Sequence, residues 1–147
     1  MSHSDQESIV YGIIRHIPGA DPFTARMQRR ANWFAVQALP QSVDDEWSLL
    51  CRDMFAMPGE DVFTGTYHTQ VIHFAASYKA VEYEWENWLK QFEALLKTMY
   101  WMSASVHLET ELSGKHTFNW HSERGHTPAD SELRMSCEWE REAHFAI

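Results

Sequence analysis

The chain has 147 residues, 44% of them hydrophobic and 14% aromatic, and 21 acidic against 12 basic side chains give a net charge of −9. This length and apolar content suit one packed core and exclude a disordered chain. The negative charge opposes phosphate backbones and anionic lipid, so neither nucleic acid nor membrane is an expected partner, whereas a basic protein would be steered toward it.

Residues 1–7 are polar and form a flexible lead. They carry no basic or apolar region of a secretory signal, and no apolar run reaches membrane length, so a cytoplasmic location is expected. Residues 8–17 are β-branched and aromatic and predict a strand, stopped by Pro18-Gly19. Asp21-Pro22 then supplies an N-cap and a proline at the first helical position. Phe23, Met27, Ala31, Phe34, Ala35 and Ala38 share one face of this helix and are its expected buried stripe, and Pro40 ends it. Ser42 caps a second predicted helix, with Asp44, Asp45 and Glu46 in its first turn and Trp47, Leu50, Cys51 and Met54 at buried-stripe spacing.

Tyr67 to Ala76 has strand composition, and neither face is strongly polar, which suits a central strand. Over residues 82–99, Trp85, Trp88, Leu89, Phe92, Leu95, Leu96 and Met99 follow the apolar helical template throughout. Glu86–Lys90 and Glu93–Lys97 add favourable i,i+4 pairs.

The last third alternates as an antiparallel meander. Met102, Ala104, Val106 and Leu108 face one way in the first strand, and His116, Phe118 and Trp120 do so in the second. A three-residue turn at Leu112-Ser113-Gly114 would pair Glu111 with Lys115, Leu108 with Phe118 and Val106 with Trp120. Leu133, Met135, Cys137 and Trp139 form the inner face of a third strand.

The expected fold is therefore α+β: an antiparallel or mixed sheet of about five strands with three helices packed on one face, in the order β-α-α-β-α-β-β-β and in one domain. The opposite face is polar: Ser103, Ser105, His107, Glu109, Glu111, Lys115, Thr117, Asn119, His121, Arg134, Ser136, Glu138 and Glu140.

Cys51 and Cys137 stand far apart, in no CxxC pattern and within apolar periodic stretches, so both are expected in the core of a chain from a reducing compartment. Nine histidines invite a metal, but His68/His73 and His116/His121 are odd steps apart along strands and point to opposite faces. His107, His121 and Glu109 could converge only from different strands, and scattered surface histidines are the simpler reading, with no cofactor expected. No nucleophile elbow, dinucleotide fingerprint or phosphate loop occurs. The carboxylate pairs Glu109/Glu111 and Glu138/Glu140 share their face with polar neighbours and read as a solvated surface. These observations favour binding over catalysis.

The stretches Gln70–Tyr78, Trp85–Leu96, Val106–Glu111 and His116–Trp120 resemble small bacterial proteins found beside Rhs-type and other polymorphic toxins, where they act as immunity partners. Tyr11-Gly12 and the Leu39-Pro40 corner share the likeness. The resemblance implies stoichiometric inhibition of a cognate toxin domain but carries over no residue roles; the candidate contacts for a basic surface come from the expected open face, His107, Glu109, Glu111, Glu138 and Glu140, and from the acidic turn Asp44, Asp45 and Glu46. A small enzyme or ligand-binding domain with a concave pocket, and an oligomer formed through an exposed patch, are the competing classes.

Overall fold

The computed structural model describes residues 6–19, 21–41, 49–57, 69–130 and 132–140. The fold is α+β, built from β1 (Glu7–His16), α1 (Pro22–Gln37), β2 (Phe55–Ala56), β3 (Gln70–Lys79), α2 (Trp85–Lys97), β4 (Trp101–Thr110), β5 (Gly114–His126) and β6 (Met135–Glu140). One antiparallel sheet runs β2-β3-β1-β4-β5-β6. Glu7, within the stretch expected to be flexible, already belongs to β1.

β1 lies between β3 and β4. Its run Ile9-Val10-Tyr11-Gly12-Ile13-Ile14 is apolar on both faces, as a central strand requires. Val10 and Ile14 point inward and are fully buried. Gly12 sits beneath the Phe74 ring, where an added Cβ would lie 2.7 Å from Cζ of Phe74 and 2.0 Å from the Ser105 carbonyl oxygen.

α2 covers the inner face. Trp88, Phe92 and Leu96 are fully buried, as the apolar stripe predicts. Phe92 lies 5.3 Å from the Phe74 ring and 5.2 Å from Trp120, and Trp85 lies 5.2 Å from Phe118, centroid to centroid. Each such side chain contributes roughly 2–3 kcal/mol by leaving water. Two polar ends reach partners: Trp88 Nε1 donates to Tyr78 Oη (3.1 Å), which donates to the Leu49 carbonyl (2.6 Å), and Trp120 Nε1 donates to Glu93 (2.9 Å).

α1 begins as expected, with the Asp21 carboxylate accepting from Thr24 N at 3.0 Å and holding its own pKa below the usual range through that bond. Its buried face differs from the expectation. Ala25, Asn32 and Val36 are buried, whereas Phe23, Met27 and Phe34 are exposed. Two residues turn a helix by about 200°, so Phe23, Met27 and Phe34 point away from the sheet, while Ala35 of the predicted stripe packs against the core. A buried hydrogen-bond set joins the apolar contacts of Val36: Asn32 Nδ2 donates to Gln70 Oε1 (3.0 Å) and the Tyr100 carbonyl (2.8 Å), while Asn32 Oδ1 accepts from Tyr100 N (2.8 Å).

The described residues form two α-helices and six strands, where three and about five were expected. Residues 42–48, with Asp44, Asp45, Glu46 and Trp47, lie outside the described residues. The rest of the expected second helix is not α-helical: Cys51 is extended, Arg52–Met54 is one 3-10 turn, and Phe55-Ala56 joins the sheet. Leu50, Cys51 and Met54 still reach the core, from an irregular segment that Arg52 N anchors to the Pro40 carbonyl at 2.8 Å. Apolar spacing alone does not separate this path from a helix.

The β4–β5 hairpin pairs Val106 with Phe118, Leu108 with His116 and Thr110 with Gly114. This register is shifted two residues from the expected one, which keeps every side chain on its predicted face. Thr110 Oγ1 accepts from Ser113 N at 2.9 Å and closes the loop over residues 111–113, and Gly114 takes a left-handed φ of 81°.

Candidate functional site

Both helices pack against the even-numbered side of β1 and β3, leaving the other side of the sheet without a covering helix among the described residues. Its side chains form cross-strand rows. One runs Ala75–Tyr11–His107–Thr117–Glu138, the next His73–Ile13–Ser105–Asn119–Ser136, and a third Ser77–Ile9–Glu109–Lys115.

Two zones result. Over β1 and β3, Ile9, Ile13 and Val71 are each 38% exposed. Tyr11 lies between the two isoleucines, its ring centroid 5.0 Å from that of His107. Over β4 and β5 the surface is polar and internally bonded. His107 Nδ1 lies 2.9 Å from Thr117 Oγ1, and Ser105 Oγ donates to Asn119 Oδ1 at 2.7 Å. Tyr11 Oη donates to Glu109 Oε1 at 3.2 Å. Burial and the Glu109 carboxylate raise the Tyr11 pKa, while Lys115 pulls it down.

The expected contact residues separate accordingly. Glu109 and His107 are half-buried and engaged with Tyr11 and Thr117, and Glu109 lies across from Lys115. Glu138 is exposed, opposite Thr117, and Glu140 pairs in backbone register with Lys115. Glu111 is exposed at the hairpin tip, past the end of β4. Arg15, Lys79 and Lys115 share the face with these glutamates, so its charge is mixed. The apolar zone is absent from the expected polar surface, which drew only on the last three strands. The unbroken apolar run of β1 was its signal in the sequence.

One further expectation changes. Cys137, expected in the core, is exposed, because β6 is an edge strand beyond the cover of α2, whereas Cys51 is buried. No group of three metal-ligating side chains occurs among the described residues. His107 and His121 stand four residues apart along the strands, opposite Thr117 and Ser103, with the Ser105–Asn119 pair between them, while His116 faces the helix side beside Ser113.

A cleft of about 550 Å³ lies at the other end of β5, where Ser122–Gly125 bulge opposite Met102. Trp101, His121, Arg124, His126, Asp130 and Arg134 line it. The buried His126 ring stacks on Trp101 at 4.8 Å and lies 3.0 Å from the Met99 carbonyl through Nδ1, which therefore carries a proton. Its Nε2 is buried without a partner among the described residues. No hydrogen-bonded nucleophile and base face each other there among the described residues. No described helix is long and apolar enough to cross a membrane. Comparison with protein-family models, with curated proteins and with solved structures gave no match.

Proposed function

We propose that this protein is an immunity protein that docks on a cognate toxin domain through the uncovered face of its sheet and inhibits it stoichiometrically in the cytoplasm. The observation that carries this reading is the half-exposed stripe Ile9–Tyr11–Ile13 with Val71, set in the centre of a sheet face and bordered by polar side chains. Apolar surface so placed suits the dry centre of an interface, and the polar zone suits its hydrogen-bonding rim. Tyr11 is the residue type that dominates such centres. The sequence resemblance gives the partner class, and the net charge of −9 favours a basic toxin. The mixed charge of the sheet face makes Glu138 and Glu111, which are exposed, better steering residues than Glu109.

The test is co-expression with the toxin domain encoded beside this gene. Rescue of growth through a one-to-one complex supports the reading; killing despite abundant folded protein refutes it. The cleft beside Trp101 and His126 favours a second reading, a small enzyme or ligand-binding domain, which a thermal-shift and turnover screen against small molecules would detect.

A further inference from the structure

The β4–β5 corner holds three side chains in one hydrogen-bonded chain. Thr110 Oγ1 accepts from Ser113 N at 2.9 Å and lies 2.6 Å from Ser113 Oγ, which lies 3.2 Å from Nε2 of His116. The left-handed Gly114 turns the backbone between the serine and the histidine and brings the two side chains together. A hydroxyl within hydrogen-bond reach of an imidazole nitrogen is the nucleophile–base pair of covalent catalysis, and a third group holds the pair in place. Here that group is Thr110, which fixes the serine. Its oxygen already accepts from Ser113 N, so its proton can go to Ser113 Oγ and the serine proton to Nε2. Thr110 is buried, while Ser113 and His116 are half-buried, which leaves the pair open to a small molecule and partly withdrawn from water. Burial holds the His116 pKa below the ordinary histidine range, so a neutral ring near pH 7 offers its lone pair. Leu108 faces His116 across β4, and the nearest charges along the strands, Glu109 and Lys115, belong to the other face of the sheet.

We propose that Ser113 is a nucleophile, with His116 as its general base, and that it takes the acyl group of small activated carboxylic esters. Ser113 Oγ bonds to the carbonyl carbon, and the bond from that carbon to the leaving oxygen breaks. The serine proton passes through His116 Nε2 to the departing alkoxide. This site does not depend on the toxin reading, because it lies at the hairpin corner and on the helix side of the sheet, away from the stripe Ile9–Tyr11–Ile13.

Treating the full chain with 4-nitrophenyl acetate tests it. Release of 4-nitrophenolate is followed, and peptide mass mapping is done before and after alkaline hydroxylamine, which cleaves an acetyl ester and spares acetyl-lysine. The expected result is a hydroxylamine-sensitive acetyl group on Ser113, with matching release that Ser113→Ala lacks. His116→Gln, folded by circular dichroism, reacts at Ser113 about 100-fold more slowly, the lower end of what general-base assistance contributes. In wild type the Ser113 rate levels off above about pH 7, where His116 is already neutral, while lysine acetylation goes on rising toward about pH 9. The proposal is overturned by the absence of both a Ser113 adduct and Ser113-dependent release. It is overturned equally by a Ser113 rate that His116→Gln leaves unchanged, or by one that climbs with pH as the lysines do.

Discussion

Replacing Asn32 by Ala tests how α1 is held. The helix turns Phe23, Met27 and Phe34 outward and buries Ala25, Asn32 and Val36. Asn32 makes three hydrogen bonds, to Gln70 and to both backbone groups of Tyr100. Each contributes about 1 kcal/mol net, and truncation strands the buried Gln70 amide and the Tyr100 backbone, so a loss of about 3 kcal/mol or more is expected. That corresponds to a fall in Tm of roughly 6–12 °C for a chain of this size. Phe34→Ala should cost about 1 kcal/mol or less, because its ring is 55% exposed. The sequence pattern alone predicts the reverse ranking, since truncating a core Phe costs about 3–5 kcal/mol. Urea and thermal unfolding of the two variants decide the matter. An Asn32→Ala loss below about 1 kcal/mol, or a Phe34→Ala loss above about 3, refutes the packing described for α1.

Other outcomes follow from the same geometry. Gly12→Ala drives a methyl into the Phe74 ring and the Ser105 carbonyl, and should cost about 3 kcal/mol or abolish soluble expression. Tyr78→Phe orphans Trp88 Nε1 and the Leu49 carbonyl and should cost about 2 kcal/mol by urea unfolding; the Tyr78 hydroxyl, pushed by burial up to about 12, should resist spectrophotometric titration. Burial lowers the pKa of His16, which lies 3.1 Å from Gln28 Oε1 and beside the Arg29 charge, and burial lowers that of His116. The unfolded chain therefore binds more protons just below pH 6.5, so stability is constant above about 7 and declines as pH falls through the ordinary histidine value. His16→Phe should flatten that decline in Tm measured from pH 7.5 to 5.5; an unchanged slope assigns it elsewhere.

Much of this architecture can be read from the residues because each element obeys one dominant constraint. The stripe from Trp85 to Met99 has no competing face, and it folds as α2 and its flanking turns. The alternation in β4 and β5 fixes which residues face inward, though not the register, because a two-residue slip preserves parity and the Thr110–Ser113 closure decides between registers. α1 is misleading for a physical reason: its anchor is the polar residue Asn32, and hydrophobic periodicity cannot see a hydrogen-bonded contact. Leu50, Cys51 and Met54 are core residues at helical spacing that arrive by an extended turn. Cys137 alternates correctly but sits where no helix reaches. The apolar half of the proposed docking face was present in the run of β1, and it acquires meaning only once β1 is placed in the middle of the sheet.

The most direct measurement is growth rescue by Ile9→Asp/Ile13→Asp in co-expression with the cognate toxin domain, alongside wild type and Glu138→Lys. Both isoleucines are only half-buried, so the double variant should remain folded by circular dichroism. The account predicts that the double variant loses rescue and binding, while Glu138→Lys retains rescue but associates more slowly at low salt. A folded double variant that binds and protects as well as wild type would contradict docking through this face.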